Sequence, residues 1–270
     1  MKFTLNTLGA PNWSLEQTAR NARAYGYDGV DLRLLDGEVI SLESVRANRA
    51  RIRSLFPKDE LPVAVLATSV RLATAEPSVR RTTLDEARGW IELAAELEVP
   101  VIRYFAARNP PELDLERSIQ AVGEMLAALA DDAAAAGIKV GVETHDEFAS
   151  ARTVAGALEL APGPSVGAIW DIYHTARMGE TPFQVLTALG QRVLNVHLKD
   201  GRRTANGWQL LMLGEGEIPV KDALRLLRAQ GYTDFISVEW EKKWHPELAE
   251  PEVAYPRHIE LLREYERDLG

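Results

Sequence analysis

The chain has 270 residues and 46% of them are hydrophobic, so it is long enough and apolar enough to bury a sizeable core. Its 40 acidic and 31 basic side chains give a formal net charge of −9, which opposes sequence-independent binding to nucleic acid because such binding requires clustered Lys and Arg. Cysteine is absent, which excludes disulfides, thiolate nucleophiles and cysteine-ligated metals and leaves oxygen and nitrogen ligands for any metal.

Short β-type runs alternate with longer helical patterns from one end of the chain to the other, which is typical of a parallel α/β fold. Eight strands are predicted in chain order, at Phe3–Leu8, Gly29–Arg33, Pro62–Thr68, Val101–Phe105, Lys139–Glu143, Val166–Asp171, Val193–Lys199 and Phe235–Trp240. A helical pattern follows each strand. The first pattern starts with the capping-box sequence Ser14-x-x-Gln17, and a later one with Thr181 as N-cap and Pro182 at the first helical position.

The number and spacing of these units predict the fold. Eight units of roughly 30 residues each, without a Pro/Ser-rich linker between them, favour a closed barrel over an open doubly wound sheet. The first strand-to-helix turn, Leu8–Asn12, lacks the GxGxxG phosphate loop of dinucleotide-binding folds. We therefore expect one domain over residues 1–270, a single (β/α)8 TIM barrel with a parallel eight-stranded sheet.

Residue parity in the last four predicted strands indicates where the chemistry lies. Alternate residues of a strand face opposite sides of a barrel wall. In each of these strands one parity is apolar and suits packing against helices, whereas the other parity ends in a residue type that binds metals. The four residues at these positions are Glu143, Asp171, His197 and Glu239. All four lie at the C-terminal ends of their strands, where TIM barrels place their active sites.

Taken singly, each of these residues has a structural explanation. A strand-end carboxylate is often a helix cap or an ion-pair partner, and a lone inward histidine is often hydrogen-bonded to the backbone. Taken together, three carboxylates and an imidazole inside one barrel are costly unless a cation compensates their charge. The sequence therefore predicts one divalent metal ion (Mn, Zn, Mg or Co), held by oxygen and nitrogen ligands from all four residues.

Six further polar residues are predicted at the same end of the barrel by parity or spacing: Arg33, Arg103, His145, His174, Lys199 and Arg203. We expect them to bind substrate, with His174 as a hydrogen-bond partner and Lys199 steadying an oxyanion. Several arginines at one barrel mouth suit a carboxylate or phosphate group. The structural alternatives are a lysine at the barrel rim, histidines of the loops and solvated arginines.

Several segments carry a resemblance to a known family. Val142–Phe148, Trp170–His174, Val196–Asp200 and Gly214–Ile218, with Glu239 after the last strand, resemble the xylose-isomerase-like TIM-barrel superfamily. That superfamily contains sugar phosphate isomerases and epimerases and AP endonuclease family 2, and the resemblance covers nearly the whole chain. It implies that the four strand-end residues are the metal ligands. By resemblance to ketose epimerases, Glu143 and Glu239 are also the catalytic acid/base pair.

The reaction expected on this basis is an isomerisation or epimerisation of a sugar or sugar phosphate. A proton next to a carbonyl is weakly acidic, and a Lewis-acidic cation offsets the charge of the enediolate that forms when it leaves. One carboxylate takes the proton and a second carboxylate on the opposite face returns one.

Three alternatives stay open at this point. A metal-dependent dehydratase of a cyclic keto acid or inosose is favoured by Arg103, His145, His174 and Lys199, whose combination resembles 3-dehydroshikimate dehydratases. An AP-endonuclease-like nuclease would need extra histidines after the third and fourth strands, where Leu66–Ser69 and Arg103–Ala106 contain none. A non-catalytic sugar-binding barrel would have lost metal ligands, but all four are present.

The expected partner is a small molecule, either a sugar, a sugar phosphate or a keto acid, and not a nucleic acid. The N-terminus lacks the apolar stretch of a signal peptide, and no run approaches the ~18 apolar residues of a membrane span. We therefore expect a cytoplasmic protein without a membrane partner. A homo-oligomer is a further expectation, because the segment Trp240–Pro256 carries several aromatic residues.

Overall fold

The computed structural model describes residues 1–106 and 113–269. Within these ranges the barrel strands are β1 (Lys2–Asn6), β2 (Gly29–Leu32), β3 (Val63–Arg71), β4 (Val101–Phe105), β5 (Lys139–Glu143), β6 (Val166–Asp171), β7 (Val193–Leu198) and β8 (Phe235–Val238). These eight parallel strands close into a barrel in the order β1-β8-β7-β6-β5-β4-β3-β2. The barrel closes where Phe3 of β1 pairs with Ile236 of β8. This arrangement confirms the predicted (β/α)8 barrel.

Helices surround the barrel, and two small hairpins extend from it. In the described ranges the helices are α1 (Leu15–Tyr25), α2 (Leu42–Ala47), α3 (Arg49–Leu55), α4 (Pro77–Leu97), α5 (Leu115–Ala136), α6 (Ala151–Glu159), α7 (Ile172–Arg177), α8 (Pro182–Leu189), α9 (Val220–Ala229) and α10 (Pro251–Asp268). One hairpin pairs Leu34–Leu35 with Glu38–Val39, and the other pairs Asp200–Thr204 with Gly207–Leu211. None of the described helices is both long enough and apolar enough to cross a membrane.

The predicted strand boundaries differ from the observed ones mainly at the C-terminal ends. β1 stops at Asn6 because the Asn6 side chain accepts a hydrogen bond from the Leu8 backbone (3.0 Å) and starts a short 3-10 helix, Thr7–Gly9. β8 stops at Val238, although the Glu239 backbone still donates to the Leu198 carbonyl at 3.0 Å. Glu239 is therefore held beside β7 just beyond the end of its own strand.

A small apolar cluster inside the barrel includes Ile169 and Leu194. It packs against Gly141, where an added Cβ would lie 2.8 Å from Ile169 Cδ1. Gly141 has the same parity as Glu143, two residues further along β5. Because Gly141 has no side chain, the apolar cluster can fill the barrel interior next to Glu143, on the side of the strand N-termini.

Candidate metal centre and substrate site

The four residues selected by strand parity meet at one point. Glu143, Asp171 and His197 come from β5, β6 and β7, and Glu239 follows β8, so they stand on four consecutive strands of the barrel. Each offers one ligand atom, and the four atoms all lie within 4.8 Å of one another. All four side chains are buried. Because carboxylate oxygens and imidazole nitrogens bind divalent cations, this ligand cluster (Glu143, Asp171, His197 and Glu239) is a candidate metal centre.

His197 lies between the two glutamates of the ligand cluster. Its Nδ1 is 2.9 Å from Glu143 Oε1 and 3.4 Å from Glu239 Oε2. Burial alone would lower the pKa of His197, but the two carboxylates raise it well above its usual value. Without a metal the ring therefore carries a proton between the carboxylates. A metal ligand must be neutral imidazole, so metal binding would replace this proton.

Asp171 is oriented by the backbone of the helix that follows it. Its Oδ1 accepts hydrogen bonds from the Tyr173 and His174 backbone N–H groups at 2.9 and 3.0 Å, as the N-cap of α7. This leaves Oδ2 for the ligand cluster, where it has no hydrogen-bond partner in good geometry. A buried carboxylate oxygen that faces the other acidic groups of the cluster in this way fits a metal ligand.

Lys199 is buried against the same carboxylates. Its Nζ lies 2.8 Å from Asp171 Oδ2, 2.7 Å from Glu239 Oε2 and 2.5 Å from Glu241 Oε1. Burial opposes protonation, but these carboxylates raise the pKa of Lys199 well above its usual value. Lys199 points into the barrel, as its parity predicted. Its ammonium group faces protein carboxylates. The expected contact of Lys199 with a substrate oxyanion stays a prediction.

Arg103 contacts the ligand cluster from the other side. Its Nε lies 3.3 Å from Glu143 Oε2 but outside hydrogen-bond geometry, and neither atom has another hydrogen-bond partner among residues 1–106 and 113–269. Its Nη1 donates to the Thr68 carbonyl at 2.7 Å. Burial raises the pKa of Glu143, but Arg103 and His197 lower it well below the usual range. The guanidinium therefore holds Glu143 ionised.

The charges in direct contact show how far the protein compensates itself. Among the described residues, the side chains of Glu143, Asp171, Glu239 and Glu241 form ion pairs with two permanently basic side chains, Lys199 and Arg103. The sequence-based argument assigned the compensating charge to a metal, and Lys199 and Arg103 supply part of that charge. With neutral His197, these groups keep a formal excess of two negative charges, which one divalent cation would balance.

The remaining predicted arginines lie in different environments. Arg33 is buried, and its Nη1 donates to the Ala67 carbonyl at 3.1 Å and to Ser69 Oγ at 2.8 Å. Arg103 is the middle residue of β4, and its Cζ lies 3.9 Å from the Phe105 ring centroid. Arg203 is exposed on the Asp200–Thr204 strand, and within the described residues no hydrogen bond or ion pair joins it to the ligand cluster. Arg33 and Arg103 therefore share the Phe105 ring, with Arg33 Cζ 5.8 Å from its centroid, whereas Arg203 is exposed on the hairpin.

The two predicted histidines face each other at the edge of the ligand cluster. The rings of His145 and His174 have centroids 4.4 Å apart, and His174 Nε2 lies 3.7 Å from Asp171 Oδ2. Burial lowers the pKa of His174 to about 4. Burial opposes protonation of His145 too, but Asp146 and Glu143 raise its pKa. His174 is thus a neutral hydrogen-bonding group beside Asp171.

Three residues at the site were missed by the sequence reasoning. Asn6 Nδ2 donates to Glu239 Oε1 at 3.2 Å, and Glu241 contacts Lys199. Asp31 is fully buried, and burial raises its pKa to about 6 although His197 opposes this. The inward parity of Asp31 and the two-residue spacing from Glu239 to Glu241 are signals that could have identified them.

A cavity of about 620 Å³ lies next to the ligand cluster. Its lining includes His174, beside Asp171, and Glu241, beside Lys199. The hairpin on its other side is anchored by Asp200, whose carboxylate accepts from the backbone N–H groups of Gly201, Gly214, Gly216 and Ile218 at 2.7 to 3.1 Å. The motif segment Gly214–Ile218 therefore serves to build this wall.

Comparisons with known proteins identify the family and the fold of the chain. A family model described as xylose isomerase-like TIM barrel matches residues 19–265. Fructoselysine 3-epimerase of Shigella flexneri is 22% identical over 277 residues, which cover 97% of this chain and 97% of that protein. Among solved structures, the IolI protein with a bound zinc atom has a TM-score of 0.80 at 18% identity, covering 100% of this chain and 98% of that one. The probable 3-DHS dehydratase AsbF from Bacillus anthracis has a TM-score of 0.77 at 16% identity, with 97% and 99% covered.

Proposed function

The chain belongs to the xylose isomerase-like TIM-barrel family, and from this membership we propose that it is a divalent-metal-dependent epimerase acting on the carbon next to a ketose carbonyl. The observation that carries the proposal is the convergence of four buried ligand atoms within 4.8 Å. The curated relative that spans almost the whole chain is a sugar epimerase, which supports this reaction over other uses of the barrel.

Glu143, Asp171, His197 and Glu239 would hold the metal. When bound, a divalent cation supplies Lewis acidity that offsets negative charge developing on substrate oxygens. Asp171 and His197 act as structural ligands in this proposal, because Asp171 is fixed as a helix cap and His197 is enclosed by protein. Oxygen and nitrogen donors of this set suit Mn, Zn, Mg or Co.

Glu143 and Glu239 form the proposed acid/base pair. Lys199 and His197 hold the pKa of Glu239 well below its usual range against the effect of burial, so its carboxylate is ionised, as a general base must be. One carboxylate takes the proton from the substrate carbon, leaving an enediolate. The other delivers a proton to the opposite face, which requires that it takes up a proton when the substrate binds, because both carboxylates are ionised in the free protein. The two exchange roles in the reverse reaction.

Two further groups orient this pair. Asn6 donates to Glu239 Oε1, and Arg103 faces Glu143 Oε2, so each catalytic carboxylate has one oxygen steadied by a neighbour. His145 and His174 lie at the edge of the ligand cluster and are the proposed hydrogen-bond partners of substrate hydroxyls.

The test is proton exchange. Metal-loaded protein is incubated with a panel of ketoses in D₂O, and the products are followed by NMR. We expect deuterium at the carbon next to the carbonyl together with the epimer. A panel in which no ketose exchanges that proton would contradict the proposal.

A dehydratase would instead form a conjugated, ultraviolet-absorbing product from a cyclic keto acid or inosose.

A further inference from the structure

The cavity beside the ligand cluster is larger than a single sugar requires. Its volume of about 620 Å³ lies within the ~300–1,000 Å³ range of pockets that enclose drug-sized ligands. Such ligands are considerably larger than a six-carbon sugar. A monosaccharide held at the ligand cluster would therefore leave much of the space beside it unfilled.

The wall of the cavity that contains Tyr173 and Trp208 has the chemistry of a sugar subsite. Tyr173 and Trp208 contribute aromatic rings whose centroids are 5.8 Å apart at an interplanar angle of 78°. Trp208 is half-buried, so part of its ring is open to the cavity. Asn206 and Gln209 add amide groups to the lining. Aromatic rings pack against the C–H faces of sugars, while amides donate to and accept from their hydroxyls.

The charges of the lining disfavour an anionic occupant. Glu215, Glu241 and Glu247 line the cavity, whereas Arg177 is the one arginine or lysine among its described lining residues. The Arg177 guanidinium lies 5.3 Å from the Tyr173 ring centroid, in cation–π contact. A phosphate group is normally bound by several basic groups, and here it would meet an excess of carboxylates.

We propose that this cavity binds a second, uncharged sugar ring, so that the substrate is a ketose joined to another sugar and not a free monosaccharide or its phosphate. The reacting ketose lies at the ligand cluster, and the second ring stacks on Trp208. The inference rests on the proposed function for the position of the ketose, whereas the subsite itself stands on the size, aromatic content and charge of the cavity.

The test compares four glucosyl-fructose disaccharides, linked through carbon 1, 3, 4 or 6 of fructose (trehalulose, turanose, maltulose and isomaltulose), with fructose and fructose 6-phosphate. Binding to the metal-loaded protein is measured by calorimetry. We expect at least one disaccharide to bind about 10-fold more tightly than fructose, and fructose 6-phosphate to bind no better than fructose. Trp208→Ala should remove the disaccharide advantage and leave fructose affinity unchanged. The control Trp244→Ala, at an exposed tryptophan outside the cavity lining, should change neither affinity.

Three outcomes would overturn the inference: no disaccharide binding better than fructose, fructose 6-phosphate binding best of all, or Trp208→Ala weakening fructose and disaccharides equally. Proton exchange measured in D₂O on the same samples separates this inference from the proposed function. Exchange on fructose without any disaccharide preference would keep the epimerase and refute the subsite. Trp208-dependent disaccharide binding without proton exchange on any ketose would keep the subsite and refute the epimerase.

Discussion

Lys199 Nζ lies 2.7 Å from Glu239 Oε2, so one of the two proposed catalytic carboxylates is paired with an internal cation. The same ammonium contacts Asp171 Oδ2, a second proposed ligand. The lysine therefore stabilises a cluster of carboxylates that would repel one another in the metal-free protein. A bound metal would take over part of this role, and the two cations would share the carboxylates.

Replacing Lys199 should destabilise the metal-free protein more than the metal-loaded protein. Lys199→Met keeps most of the side-chain volume but leaves buried carboxylates without their partner, which typically costs about 3–5 kcal/mol. We expect a lower Tm without metal and a larger rise in Tm on adding Mn²⁺ than for the unchanged protein. Lys221→Met, which removes an exposed ion pair with Asp268, should leave Tm nearly unchanged with and without metal. An equal loss for Lys199→Met with and without Mn²⁺ would argue against the shared role.

Glu239→Gln should abolish turnover while largely preserving the fold. The amide is nearly isosteric but cannot accept the substrate proton, and general base catalysis typically contributes ~10²–10⁴-fold. The measurements are proton exchange in D₂O and the circular dichroism spectrum. Glu264→Gln, on an exposed residue of α10, is the matched control and should keep full activity. Full activity in Glu239→Gln would remove Glu239 from the acid/base pair.

His197→Ala should lower metal affinity strongly. Loss of an outer-shell partner typically costs 10–100-fold in metal affinity, so loss of a direct ligand should cost at least about 100-fold. Calorimetric titration with Mn²⁺ or Zn²⁺ measures this. His245→Ala changes a partly exposed histidine outside the ligand cluster and should leave the affinity unaltered. Unchanged affinity in His197→Ala would mean that another group is the fourth ligand.

Metal affinity should rise with pH. The pKa of His197 in the metal-free protein is raised well above its usual value, so the ring is protonated near neutral pH. Metal binding needs the neutral ring and therefore releases a proton, which makes affinity increase about tenfold per pH unit until the pH passes that raised pKa. Titrations in buffers of different ionisation enthalpy count the protons released. Metal affinity that does not change with pH below the raised pKa would show that His197 is not a ligand in its neutral form.

The period of the strands made much of the site predictable. Alternation along β5 to β8 identified Glu143, Asp171, His197 and Glu239 as inward residues at the strand ends, and the barrel geometry then required them to be close. The same rule applied to β2 would have identified Asp31. Exact strand ends were less predictable, because local groups such as the Asn6 side chain end a strand in ways that hydrophobic patterns do not report.

The sequence by itself determined the barrel and the set of inward polar residues, because both follow from the alternation of side chains along strands and the repetition of strand and helix. Only the tertiary structure decided which of these groups compensate one another. Arg103 and Lys199 are long side chains that pair with Glu143 and Glu239 across 40 residues of sequence in each case. The cavity beside Trp208 likewise depends on a hairpin, a helix and the segment after β8 coming together. Ion pairing and cavity shape depend on distances between strands, and a one-dimensional pattern does not contain those distances.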